Sequence, residues 1–180
     1  MIFLQILVVI LVCTLWLFIF YIFFSKKIRN SAPVFPSSRK LRKIVACEIR
    51  KNYKNSKNIL DIGSGFGGLA RKIACENPHH RIYAVEQIYL LVAISRLSNI
   101  FSRRKVKFLH ADVFEFIKKS RKFDIGVAYL FPPMMPQIEK IRTEFDVLII
   151  LDFPLPNVKF SRKIEINKGK LSQRIIYIYE

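Results

Sequence analysis

Residues 61 to 68 read Asp61-Ile62-Gly63-Ser64-Gly65-Phe66-Gly67-Gly68. Glycines this dense let the backbone turn sharply and bring it close to a ligand. A carboxylate stands just before them. Two further acids fall at similar junctions: Glu86 after Arg81-Ile82-Tyr83-Ala84-Val85, and Asp112 after Val106-Lys107-Phe108-Leu109. The glycines also satisfy G-x-G-x-x-G, and Glu86 stands where the dinucleotide fingerprint wants an acid. Charge separates the two ligands. A pyrophosphate would be repelled by a carboxylate beside its cradle, whereas an ammonium and a sulfonium would be attracted. The pattern therefore predicts S-adenosyl-L-methionine as cofactor. Asp61, Gly63, Ser64 and Gly65 are expected at its methionine end. Glu86 and Gln87 are expected at the ribose hydroxyls, and Asp112 and Val113 at the adenine. A dehydrogenase would also need a substrate domain, for which no residues remain in a chain of 180.

These residues need a scaffold that sets them along one edge. After a helix capped by Ser37 or Ser38, with Leu41, Ile44, Val45 and Ile49 on its apolar face, strands and helices alternate. Strands are expected at 58–62, 81–85, 106–109, 123–130 and 145–151, and helices at 69–75, 88–101, 113–119 and 135–141. Alternation of this kind predicts a mostly parallel sheet with helices on both faces. Residues 163–166 and 174–178 then read as two strands with Lys168-Gly169 between them, a C-terminal antiparallel hairpin. The expected fold class is α/β, Rossmann-like, of the class I methyltransferase plan. In an open α/β sheet all three acids would lie at the carboxyl ends of successive strands, where ligands bind.

The first 24 residues carry no charge. As a helix they would span about 36 Å, enough to cross a hydrocarbon core of about 30 Å. No basic residue precedes this run and no small-residue cleavage site follows it, which argues against a signal peptide. Lys26, Lys27 and Arg29 come next. The expected organisation is a transmembrane anchor at 1–24, a basic, Pro-containing linker at 25–36 and one domain at 37–180. Cationic flanks stay inside, so the N-terminus is expected outside and the domain in the cytoplasm, on a bacterial or organellar inner membrane. The net charge is +18, densest at Lys26–Arg29 and Arg39–Lys43. Anionic lipid headgroups are the expected partner, and no aromatic-interleaved basic motif argues for RNA. Cys13, Cys47 and Cys75 form no CxxC or metal-ligand spacing and are expected to be packing residues; no metal site is expected. His79, His80 and His110 form no constellation and are expected at the surface or in loops.

Several stretches resemble one family, the membrane-anchored protein-lysine methyltransferases of the ATP synthase c-subunit and adenine nucleotide translocase, with their bacterial relatives. They are Pro33-Val34-Phe35-Pro36-Ser37, Asp61-Ile62-Gly63-Ser64-Gly65, Glu86 with Leu91-Val92 and Ser95-Arg96, Pro133-Met134-Met135 with Gln137, Glu139 and Lys140, and Phe153-Pro154-Leu155-Pro156. The glycine motif is common to many methyltransferases; its combination with Ser95-Arg96, Pro133-Met134-Met135 and Phe153-Pro154-Leu155-Pro156 is much more specific. The sequence departs from the family at Phe66, near Ile88 and at Asp152, where an aspartate, an asparagine and an arginine are usual. The resemblance implies methylation of a lysine on a membrane protein. Tyr129, Phe131 and Pro132 follow the fourth strand, where the acceptor enters in this fold, and are expected to line its path. No general base is evident. Methylation of a lipid, quinone or RNA, and a non-catalytic membrane scaffold, remain alternatives.

Overall fold

In the computed structural model, residues 2–24, 37–102, 106–120, 122–167 and 173–180 are described. The linker 25–36, with Lys26, Lys27, Arg29 and Pro33–Pro36, and the Lys168-Gly169 turn lie outside them. The chain forms two compact units, Met1–Pro33 and Val34–Glu180.

The first unit contains helix α1 (Ile2–Phe24), 23 residues without a charged side chain. Side chains are described at 5–18, and those from 5 to 17 are exposed. Among the described residues no helix is long and apolar enough to cross a membrane. The stretch with described side chains is shorter than the roughly 20 residues a spanning helix needs.

The second unit is a seven-stranded sheet of order β3-β2-β1-β4-β5-β7-β6. Its strands are β1 (Asn58–Ile62), β2 (Arg81–Glu86), β3 (Lys107–His110), β4 (Phe123–Ala128), β5 (Phe145–Leu151), β6 (Arg162–Asn167) and β7 (Gln173–Tyr179). β1 to β5 pair in parallel; β7 pairs antiparallel with both β5 and β6. This is the expected parallel sheet with its C-terminal hairpin. Helix α2 (Arg39–Asn52) precedes β1, and four helices among the described residues connect strands: α3 (Gly68–Glu76), α4 (Tyr89–Ile100), α5 (Val113–Lys119) and α6 (Met135–Lys140).

The local reasons are plain. Ser38 caps α2, its hydroxyl accepting from the Leu41 N–H, and Leu41, Val45, Ala46 and Ile49 bury one face. Strand residues alternate between two cores. Ile59, Ile125, Val127, Ile149 and Leu151 pack with α2, α3 and α4. Leu60, Ile62, Leu148 and Ile150 pack with Ile117 of α5 and Met135 and Ile138 of α6. At about 25 cal/mol per Å² of apolar surface, two such cores drive folding, and because successive side chains point to opposite faces the central strands must be apolar at consecutive positions to serve both. β4 stops at Ala128, two residues before expectation. Its register pairs Ala128 with Ile62, and beyond Ile62 the partner strand turns into Gly63 at φ +69° and no longer offers a ladder.

Two expectations are corrected. His80 is buried, and its Nδ1 accepts the Lys57 N–H at 3.1 Å. Burial pushes this imidazole down to about 4, with His79 adding to the shift, so it stays neutral. Cys75 is exposed rather than packed, because it lies on the outer side of α3 while Leu69, Ala70, Ile73 and Ala74 turn inward; Cys13 on α1 is exposed too.

Candidate cofactor and acceptor site

Chain direction reverses at β1. The chain runs outward from β1 to β2 and β3, then returns to lay β4 on the other side. This leaves a crevice above the carboxyl ends of β1 and β4, the place where open α/β sheets bind ligands. The glycine loop fills its floor. Gly63, Gly65 and Gly67 all have positive φ, at 69°, 53° and 67°. A Cβ on Gly63 would sit 2.7 Å from Leu130 Cδ2, and one on Gly67 would sit 2.3 Å from the Phe108 ring. The loop therefore requires glycine for both conformation and space. The Ser64 N–H donates to the Val85 carbonyl at 3.0 Å, while its hydroxyl oxygen is buried without a partner.

The acids beneath and beside the loop differ in what they touch. Asp61 is 2% exposed and faces α3, where Oδ2 accepts the Ala70 N–H at 3.2 Å. Burial raises this carboxyl to about 7; the Ala70 bond opposes the rise and the nearby Glu86 charge adds to it. Glu86 is also buried. One oxygen accepts the Gly65 N–H at 2.9 Å and the other the Ile88 N–H at 2.9 Å, so a single carboxylate joins the glycine loop to the entry of α4. Ser95 on α4 completes the link by donating to the Gly65 carbonyl at 3.2 Å. Its neighbour Arg96 donates to the Phe108 carbonyl through Nε and Nη2.

Asp112 is exposed and caps α5, with Oδ1 accepting the Phe114 and Glu115 N–H groups. Val113 opens that helix and is half-buried. The Gln87 carbonyl lies 3.0 Å from His110 Nε2, which ties the end of β2 to the end of β3. The fold thus gathers Asp61, the glycine loop, Glu86 and Gln87 closely, with Asp112 and Val113 at the rim.

On the other side of the loop, Leu130 closes against Gly63. Tyr129 packs on the core beneath α2 and α3, and its hydroxyl accepts from Arg174 Nη1 at 2.7 Å. The same Arg174 pairs with Asp152, which directly follows β5 and holds φ +70°, a left-handed conformation rare outside glycine. Asp152 Oδ1 is buried without a hydrogen-bond partner. The half-buried Phe131 has its ring 6.4 Å from Phe153, and Pro132 is exposed at the start of a 3-10 turn, Pro132–Met134.

Sequence reasoning missed three cations here. Arg174 reaches the site from β7, Arg42 lies over Gly68 with its Nη1 2.2 Å from a Cβ position there, and Arg71 donates to the Phe66 carbonyl. Only the emptiness left by Gly68 hinted at one of them. Among the described residues no group of three His, Cys, Asp or Glu side chains could hold a metal.

The sequence profile of the methyltransferase small domain matches residues 36–146, most of the chain. The chain belongs to that methyltransferase family. Its fold recurs in solved structures at low identity. An RNA methyltransferase from Salinibacter ruber, in complex with S-adenosyl-L-homocysteine, superposes with TM-score 0.65 and 16% identity, over 81% of this chain and 92% of that chain. A precorrin-6y C5,15-methyltransferase from Geobacter metallireducens gives 0.60 and 16%, over 83% and 91%. A precorrin 8w decarboxylase from Methanobacterium thermoautotrophicum gives 0.60 and 15%, over 83% and 93%. None of the curated proteins matches by sequence. This methyltransferase domain uses S-adenosyl-L-methionine, and a glycine cradle that any side chain would fill fits that group.

Proposed function

We propose that this methyltransferase acts on an amine, a lysine side chain of a membrane protein. The observation that carries the reading is Asp152 Oδ1, a buried carboxylate oxygen without a partner, in the cluster with Tyr129 at the ends of β4 and β5. Such an oxygen is costly to leave unpaired and suits an ammonium donor. Asp152 binds the incoming ammonium, while Tyr129, Phe131 and Pro132 line the path, where desolvation favours the neutral amine that attacks the methyl group. Arg174 positions Asp152. When bound, S-adenosyl-L-methionine supplies the electrophilic methyl group. The glycine loop and Asp61 hold its methionine end, Glu86 and Gln87 its ribose, and Asp112 and Val113 its adenine.

The membrane setting rests on α1, whose 23 uncharged residues reach about 35 Å. In this reading residues 1–24 anchor the chain with the N-terminus outside and the domain in the cytoplasm, on a bacterial or organellar inner membrane. Lys26, Lys27 and Arg29, with the exposed Arg39, Lys40 and Lys43, would meet anionic headgroups. RNA is the second reading, favoured by the net charge of +18 and by the fold shared with an RNA methyltransferase.

Labelled cofactor and membrane fractions decide between them. The expected result is a labelled membrane-protein band that digests to methyl-lysine, weakens with Asp152→Asn and weakens when residues 1–24 are removed. Label recovered only in RNA or lipid would sink the lysine assignment.

Asp61 adds a pH signature. With its carboxyl near 7 in the free protein, an adjoining cation should displace its proton, so cofactor binding should release protons and tighten from about pH 6 to pH 7.5. Calorimetry in buffers of different ionisation enthalpy reads the release directly. Asp61→Asn should bind more weakly with no such linkage; the same linkage in that variant would place the proton elsewhere.

A further inference from the structure

The methionine end of S-adenosyl-L-methionine carries an ammonium and a carboxylate on one carbon. A site that takes the first must also provide for the second. Around the glycine loop this is a problem of charge, because Asp61 and Glu86 are both buried there. A carboxylate set beside them without a cation would be repelled. Three arginines stand near the crevice, and two of them are committed. Arg174 binds Tyr129 and Asp152. Arg71 gives Nη2 to the Phe66 carbonyl at 2.8 Å, lies over the Phe108 ring and has its Nη1 buried.

Arg42 is different. Of the four cations Arg39, Lys40, Arg42 and Lys43 it alone is half-buried, and the other three are exposed. Its Nε donates to Ser37 Oγ at 2.9 Å, which steadies the guanidinium; among the described residues its Nη1 and Nη2 have no hydrogen-bond partner. Both lie against Gly68, where a Cβ would take the same space. Gly68 opens α3, and its N-cap Gly67 offers no side chain to the helix start. Asp61 binds the same first turn at the Ala70 N–H. Burial raises the Asp61 carboxyl and lowers the Arg42 guanidinium, and each group opposes that shift in the other. A carboxylate and a guanidinium fork thus share one helix start, as a zwitterion requires. We infer that Arg42, held by Ser37, binds the carboxylate of the cofactor and makes the site selective for its intact amino-acid end. The inference rests on the reading that sets the methionine end at the glycine loop and Asp61.

Two ligands test it by calorimetry on the full chain: S-adenosyl-L-methionine and its decarboxylated analogue, which keeps the nucleoside, the sulfonium and the ammonium. The wild type should prefer the first by about ten- to a hundredfold, the worth of a charged hydrogen bond or so. Arg42→Gln should bring the two affinities together by lowering the first and leaving the second. Gly68→Ala keeps the arginine but pushes its guanidinium aside, and should have the same effect. Arg42→Lys should retain part of the preference, because the charge stays and the fork is lost. Lys51→Gln, which removes one exposed charge from the same helix, should retain all of it. An Arg42→Gln chain that weakens both ligands alike, or neither, would overturn the inference. So would a Lys51→Gln chain that loses as much of the preference as Arg42→Gln. Failure of the Asp61 assignment reads separately: Asp61→Asn would then bind both ligands at wild-type strength, while Arg42→Gln still erased the preference.

Discussion

Glu86→Gln is expected to weaken S-adenosyl-L-methionine binding by about ten- to a hundredfold, although it preserves side-chain size. The Gly65 and Ile88 N–H groups each point at a separate carboxylate oxygen. A glutamine offers one oxygen and one NH2, so one of those donors must face another donor inside a buried site. Hydrogen bonds to a charged partner contribute about 1.5–3 kcal/mol each, and 1.4 kcal/mol is tenfold in affinity. The ribose would lose its anionic partner in the same substitution. Glu86→Ala should lose more and should also lower the melting temperature, since it leaves both donors unpaired. Calorimetric affinity and thermal melting separate the contributions. Unchanged affinity in Glu86→Gln with a lowered melting temperature would make the carboxylate a brace for the loop and nothing more.

Gly67→Ala should cost the domain about 2–5 kcal/mol of stability and abolish cofactor binding at 37 °C. Two effects combine. Gly67 holds φ +67°, where a Cβ costs about 1–2 kcal/mol, and that Cβ would meet the Phe108 ring at 2.3 Å, an overpacking worth about 1–3 kcal/mol. A domain of this size has only about 5–15 kcal/mol to lose. Phe108→Leu in the same chain should return the overpacking part and leave the conformational part, which a double-mutant cycle in denaturant resolves. If the second substitution restores nothing, Phe108 does not hold the loop in place.

Much of this was legible in the sequence because it depends on neighbours in the chain. Short apolar runs alternating with helical stretches announced β1, β4 and β5; Ser37 or Ser38 announced the start of α2; the glycines announced the loop. What was hidden depends on residues far apart. Nothing near Tyr129 says that its hydroxyl will meet Arg174, 45 positions on, or that Asp152 will share the same guanidinium. His80 lies in a loop, between α3 and β2, as expected, yet its ring turns inward to take an N–H from Lys57, 23 positions back. Arg42 over Gly68 is of the same kind. The functions of Asp61 and Asp112 were blurred for a different reason: a carboxylate at a strand end can serve a ligand or a helix N-terminus, and both residues do bind backbone N–H groups here.

The order of the sheet also bears on how the protein is made. β7 is synthesised after every other described strand, yet its place is between β5 and β6. Until it arrives, β5 presents an open row of backbone donors and acceptors, and β6 has no neighbour at all. An unpaired edge rich in isoleucine is a template for pairing with another nascent chain. Refolding at high protein concentration should therefore leave this protein dependent on chaperones that shield β5 until β7 docks.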